Sequence, residues 1–550
     1  MFLLAAQVLL AGSANVSTGV ENPPDYGTML PPAAGSSYTD PVFGTTINRI
    51  TNALQTADAA SGANLTWIEN EYATIAAYNS DNSYFILVHQ SYFGLYTGSG
   101  TFVGNLPPSE ISASSEPRWS RKDNVTLYYH VANMLKSYNV GTGQIRVVHT
   151  FSEYSSISGR GESDISQDGD HMVLVGDGRF IFVYQLSNGK KSKVLDTGGT
   201  AFDSVMITPR NNVIVSWDVS GNVRHTGQEL FNSSMVFQRQ VGHADGHKDT
   251  TTDVNGDEVV VWTNSNDPQP INCQNGIVKI NLRSAAQLCL QPLDWSLAVH
   301  ITAPDGNGTA FFETYAPSDP QPGTTAWKPY TNELLQVGLG GTTVSYRIAH
   351  HRSQPRDSYL YQPKMTVSRD GTKLLYASNF DLQAQSQTYP MDYADTYMIG
   401  VNWSASTPAI TSVTTGAPLN TTSSVVRHEQ NDAAVTLGGD WISKGGEGDS
   451  GGSSAAADAA GASAQFTFSG SAVSWIAAGD MSSGIANVYL DGKLVSIIDL
   501  YSPVPVTQKA QFTMHQLSGG VHTLSIVATG EKNDASRGAW VGVDAFDVTQ

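Results

Sequence analysis

Histidine is scarce in this chain, 13 in 550 residues, yet it is bunched. Gly242-His243-Ala244-Asp245-Gly246-His247-Lys248-Asp249 packs two imidazoles with two aspartates. His300 follows, and then Ala349-His350-His351-Arg352-Ser353. An imidazole titrates near neutral pH and is a common ligand for borderline divalent metals. The chemistry expected is therefore proton transfer or metal binding. The metal reading takes His247, His300, His350 and Gln362 as ligands of a divalent ion, manganese, calcium or zinc. The alternative uses the same imidazoles as bases. For any single histidine, a hydrogen bond to a neighbouring element is the blander use; the cluster points to function.

These side chains meet only if some repeating scaffold brings them together. A short turn recurs seven times: Asn79-Ser80-Asp81-Asn82, Arg121-Lys122-Asp123-Asn124, Gln167-Asp168-Gly169-Asp170, Pro209-Arg210-Asn211-Asn212, Val254-Asn255-Gly256-Asp257, Pro304-Asp305-Gly306-Asn307 and Arg369-Asp370-Gly371-Thr372. Each precedes a strand-like run, and such turns join antiparallel strands. The spacing is about 42 to 50 residues, with a longer last interval holding an insertion near 318–363. That period predicts four-stranded blades and a seven-bladed β-propeller over 41–407. Residues just before each inner strand should then converge on one channel mouth. They include Glu71, Tyr72, Glu116, Arg118, Trp119, Arg160, Glu162, Asp203, His243, His247, His300, His351, Arg352, Tyr361 and Gln362.

Composition agrees with an all-β protein. Charged residues make up only 14%, and Gly, Ser, Thr, Asn and Tyr fill the deficit. A net charge of −19 excludes the basic field that a nucleic-acid binder needs. Residues 1–14 read as a signal peptide, with an apolar run ending in small residues. No later run is long enough to span a membrane, so a secreted monomer is expected. Cys273 and Cys289 flank an alternating run and are expected to pair. Residues 15–40 form an N-terminal extension. Residues 408–423 read as a linker, and 424–550 as a β-sandwich with a hairpin turn at Asp491-Gly492. Trp441, Trp475, Tyr501 and Trp540 are its candidate sugar-stacking rings, Trp475 being the one expected in the core.

Two resemblances follow from these motifs. The run AVSWIAAGD, IANVYLDG, HTLSIVATGEKN and WVGVDAFDV resembles galactose-binding-like jelly-roll modules, which often bind carbohydrate. The repeat Tyr361-Gln362-Pro363-Lys364-Met365-Thr366-Val367-Ser368-Arg369-Asp370-Gly371 resembles the TolB/WD40-like repeats of oligogalacturonate and ulvan lyases. That resemblance implies a polysaccharide lyase acting by β-elimination. Such chemistry needs a cation on the uronate carboxylate, a base, and an acid for the leaving oxygen. Arg352, Arg356, Arg118 and Arg160 are candidates for the first role, and His247 or His300 for the second. Tyr361, Tyr359 or Tyr315 could serve as the third. Trp119, His243 and His351 would add substrate contacts. Glu71, Glu116, Glu162 and Asp203 offer a glycosidase-like carboxylate pair as a rival reading. A non-catalytic glycan-binding scaffold is the other alternative.

Overall fold

The computed structural model describes residues 15–264, 273, 275–340, 345–356, 359–386, 388–400, 425–446, 448–470, 472–502, 505–515, 517, 520–533 and 535–549. The expected signal peptide and the linker lie outside the described residues. The chain divides into two compact units, 1–407 and 408–550.

The first unit is a β-propeller, with seven antiparallel sheets among the described residues. The recurring turns join the first and second strands of each sheet, as at Lys248–Thr252 and Glu258–Asn264. Gly169, Gly256, Gly306 and Gly371 in those turns all have positive φ, which explains the glycine at that place. Five of the seven sheets have four strands. The first has three named strands, with isolated bridges Glu69–Val88 and Tyr78–Phe85 on its inner side. The last has five, because Thr46–Arg49 pairs with Asp395–Gly400 and Ser37–Thr39 pairs with Thr46–Arg49. Thr46–Arg49 thus closes the ring, and the end of the N-terminal extension adds the strand outside it.

The long last interval is only partly an insertion. Glu333–Gly338 and Tyr346–His350 within it are the third and fourth strands of the sixth sheet. The expectation of one insertion over 318–363 missed their alternation, because a shielded run such as ELLQVG has no polar face to mark its period.

Where the core sits decides where the site can be. The apolar side chains are used up between adjacent sheets. Val173 and Val175 of the third sheet cluster with Val205, Val215 and Trp217 of the fourth. Val259 and Val261 of the fifth cluster with Leu297, Val299, Phe312 and Leu335 around the sixth. The axis is left to Glu162, Asp164, Lys248 and Asp249. Cys273 and Cys289 are bonded, with Cα atoms 5.5 Å apart. The bond ties the outer strand of the fifth sheet to the segment before its third strand, and is of the kind that persists in oxidising compartments. Among the described residues no helix is long and apolar enough to cross a membrane.

The second unit is a β-sandwich. One sheet orders Val425–Glu429, Ala545–Thr549, Ala472–Gly479 and Val506–His515; a five-stranded sheet faces it. Phe466 of one sheet stacks on Phe546 of the other at 4.6 Å. Trp475 is fully buried in the core and donates to the Gly542 carbonyl. Trp441 is half-buried and donates to the Gly438 carbonyl. Trp540 is half-buried under Lys444, and Tyr501 is half-buried beside Asp499.

Candidate active site

A cavity of about 470 Å³ opens at one end of the propeller axis. Tyr72, Glu162, Asp203, Asp245 and His247 line it, with Leu297, Ala298 and Val299 of the sixth sheet. His247 stands just before the fifth sheet's inner strand, and His300 lies within the sixth sheet's inner strand. Neighbouring inner strands bring the two rings to 4.4 Å, nearly parallel. Tyr315 stacks on the far side of His300 at 5.3 Å, and Tyr72 meets His300 edge-on at 5.6 Å.

The hydrogen bonds set the proton positions. His247 Nδ1 pairs with the Val299 carbonyl. A carbonyl can only accept, so Nδ1 carries the hydrogen and Nε2 is the acceptor. Burial, with His300 close by, holds His247 down at about 4, so the ring is uncharged at neutral pH. His300 Nδ1 lies 2.6 Å from Glu313 Oε1. Burial pushes Glu313 up to about 8 and His300 down to about 3. Both shifts oppose charge, so the pair shares one proton and stays neutral. With Glu313 as donor, His300 keeps its hydrogen on Nε2. Burial also raises Tyr72, with Glu162 adding to the shift, so its hydroxyl acts as a neutral donor.

The floor of this cavity is an ion pair. Lys248 Nζ is 3.3 Å from Glu162 Oε2 and 3.6 Å from Asp245 Oδ1, and its side chain is almost wholly buried. Beyond it the axis holds only about 50 Å³ of space. There Arg121 pairs with Asp305 of the sixth sheet's turn, and Arg369 with Asp164 at 3.0 Å. These bonds cross the axis between non-adjacent sheets. Asp249 faces this end and accepts the Thr250 and Ala303 N–H groups. Burial raises its pKa well above the usual carboxylate range.

The other expected residues lie elsewhere. His350 and His351 were expected before the last inner strand, but His350 ends the outermost strand of the sixth sheet. Its ring stacks on Phe43 and stands 3.6 Å from Asp40 and 3.7 Å from Glu333. His351 is pinned between the Thr314 carbonyl and the Ser353 N–H. Arg352 is buried and donates to the Pro24 carbonyl, so it anchors the N-terminal segment. Arg356 pairs with Asp381. Arg118 is buried on Glu71 and the Ser163 carbonyl. Trp119 is fully buried and donates to the Ala77 carbonyl, as a core residue does. Arg160 is exposed, its guanidinium over Phe202, the residue before Asp203. His243 is half-buried just past the fourth sheet's outer strand. Tyr361 is buried edge-on to Tyr315, two rings behind His247's neighbour His300. Gln362 is half-buried, its backbone N–H on the Tyr359 carbonyl. Tyr359 is half exposed, with Lys364 Nζ 4.0 Å from its ring centre. Glu116 caps the Gly159 and Gly161 N–H groups, and Glu71 is pushed up to about 7 by burial.

The residues present do not fit the expected metal. His350 and Gln362 do not join the imidazole pair. Among the described residues no three His, Cys, Asp or Glu side chains form a metal-holding group. His247 and His300 stack face to face, which keeps their in-plane lone pairs in nearly parallel planes rather than converging on one ion. Glu313 is the residue that sequence reasoning missed. Its signal was a lone carboxylate inside the apolar run TAFFETY.

The depressed histidines carry a stability consequence. Burial lowers His89 and His247 to about 4, and His300 and His351 to about 3. The unfolded chain binds protons at these groups near pH 6.5, which the folded chain refuses. Their contribution is therefore complete above about pH 6.5 and is lost as pH falls towards 4. Glu71, Glu313 and Asp249, raised by burial, act in the opposite sense, so the test is a difference: between pH 7 and 4 the denaturant midpoint of wild type should lose ground relative to that of His89→Phe, which removes one such group.

No family model matches the chain. Over 254 residues it is 27% identical to the A type blood N-acetyl-alpha-D-galactosamine deacetylase of Flavonifractor plautii, a match covering 43% of this chain. That match takes in 31% of the deacetylase, so the chain spans about a third of that curated relative's length. Among solved structures, oligogalacturonate lyase in complex with manganese overlays with a TM-score of 0.46 at 13% identity, over 67% of this chain and 96% of that one. The oligogalacturonate lyase of Vibrio parahaemolyticus overlays at 0.45 with 11% identity, over 67% and 97%.

Proposed function

We propose that the chain is a carbohydrate-active hydrolase that removes an N-acyl group from an amino sugar held in the mouth cavity. The observation that carries this reading is His247. It is an uncharged imidazole on the cavity wall, its Nδ1–H held by the Val299 carbonyl and its ring stacked on the His300–Glu313 pair. The partial identity to a sugar deacetylase supports it.

The steps follow from the proton positions. His247 Nε2 takes a proton from water as the oxygen attacks the amide carbon. Glu162, which favours the charged ring, stabilises the imidazolium as it forms. The Tyr72 hydroxyl on the cavity wall is the donor for the oxyanion, while His300, stacked behind His247, holds that ring in place. The imidazolium then returns its proton to the departing nitrogen, the C–N bond breaks, and acetate and a free amine leave. Glu162, Asp203 and Asp245 can accept sugar hydroxyls.

The β-elimination reading keeps the base and a tyrosine acid but lacks its electrophile. The cavity lining holds three carboxylates and no arginine; Arg118, Arg352 and Arg356 are engaged elsewhere, and Arg160 lies over Phe202, outside the lining. A uronate carboxylate would meet like charges there. The test is product identity. The purified full chain should release acetate from oligosaccharides ending in N-acetylgalactosamine, and no unsaturated sugar from oligogalacturonides. Unsaturated product would restore the lyase reading, and no product from either would favour the glycan-binding scaffold.

A further inference from the structure

Trp295 stands out by its exposure. Its side chain is 60% exposed, and among the described residues it is the only tryptophan so exposed. Trp119, Trp217, Trp262, Trp327 and Trp475 are fully buried. Leaving an indole in water forgoes one of the largest burial gains available to a side chain. The position is not a loose tip. Asp294 Oδ1 accepts the Ser296 N–H at 2.9 Å and the Ser296 hydroxyl at 2.6 Å. The Leu297 N–H returns to the Asp294 carbonyl at 3.1 Å. Asn275 then clamps the turn from outside, its side-chain amide donating to the carbonyls of Asp294 and Leu297.

The clamp ties the turn to the cavity. Asn275 and Leu297 both line the mouth, as do Ala298 and Val299, the residues that lead into His300. An exposed ring held on a fixed turn, two residues before the cavity wall, has the makings of a platform. The apolar face of a pyranose stacks on such a ring, burying carbon surface while its hydroxyls stay in water.

We infer that Trp295 is a stacking platform for a sugar next to the one in the cavity, so that the substrate is an oligosaccharide chain end rather than a free monosaccharide. This rests on the hydrolase reading for what happens in the cavity, but not for the stacking itself. The test uses the full chain labelled with 5-fluorotryptophan, its Trp295 resonance assigned by Trp295→Phe. The probes are N-acetylgalactosamine, a trisaccharide ending in N-acetylgalactosamine, and a galacturonate trisaccharide.

The Trp295 resonance should move with the N-acetylgalactosamine trisaccharide and stay still with the monosaccharide. Trp295→Ala should raise KM for that trisaccharide about tenfold with kcat little changed. Monosaccharide kinetics should not move, and Trp295→Phe should keep most of the affinity. Acetate release with an unmoved resonance and unchanged variant kinetics overturns the platform alone. A trisaccharide-dependent shift without any product upholds the platform and overturns the hydrolase reading. No shift and no product with all three probes overturns both.

Discussion

His247→Ala should lower kcat/KM on an N-acetylated oligosaccharide by about 10²–10⁴, the usual contribution of a positioned general base. The reason is positional. His247 is the imidazole on the cavity wall, and the Val299 carbonyl fixes which of its nitrogens is bare. No other described histidine lines that cavity, since His300 lies behind it against Glu313. The effect should fall on kcat more than on KM, because the proton transfer is made only in the transition state. Glu313→Gln is the companion variant. Glu313 acts through His300, so it is a positioning residue. Its substitution should cut kcat less than His247→Ala does. If His247→Ala retains full activity while its denaturant midpoint matches wild type, the catalytic centre lies elsewhere.

The second large effect concerns stability. Arg347→Met should cost about 3–5 kcal/mol, the range for breaking a buried pair by removing one partner. Arg347 and Glu333 are both wholly buried and form a two-pronged ion pair. Glu333 would be left facing Asp40 and His350 in a site that is closed to solvent. Arg347 also donates to the carbonyls of Ser17 and Gly19, so the N-terminal segment loses its anchor. The double variant Arg347→Met/Glu333→Leu should recover most of the loss, because it removes the stranded charge as well. Guanidinium midpoints of the three proteins measure this. Equal midpoints for wild type and Arg347→Met would show that the pair contributes little.

The His350 neighbourhood also explains why part of the site was readable in the sequence and part was not. His247 and His300 could be paired in advance because each lies a few residues before a locally encoded turn, although the turn sits nearer to His300 than to His247. Turn chemistry and strand alternation are short-range properties, so the seven turns and the strands after them are visible residue by residue. The disulfide was legible for the same reason: its two cysteines bracket one alternating run. Glu313 was not legible, since a carboxylate in a buried strand means nothing until its partner across the sheet is known to be His300.

What the sequence by itself determined was the all-β class, the repeat, the turn positions and the two imidazoles that precede or occupy inner strands. Only the tertiary structure decided which strands complete the outer side of each sheet. That choice depends on ring closure, where Thr46–Arg49 pairs with Asp395–Gly400 across almost the whole propeller. It moved His350, His351 and Arg352 from the expected channel to the outer edge of the sixth sheet and turned them into anchors. It also decided which charges meet across the axis, as Arg121 meets Asp305 and Lys248 meets Glu162. The physical reason is range. Hydrogen-bonded turns and side-chain alternation are set by neighbours in the chain, whereas burial, and with it every shifted proton in the site, is set by residues that only folding brings near.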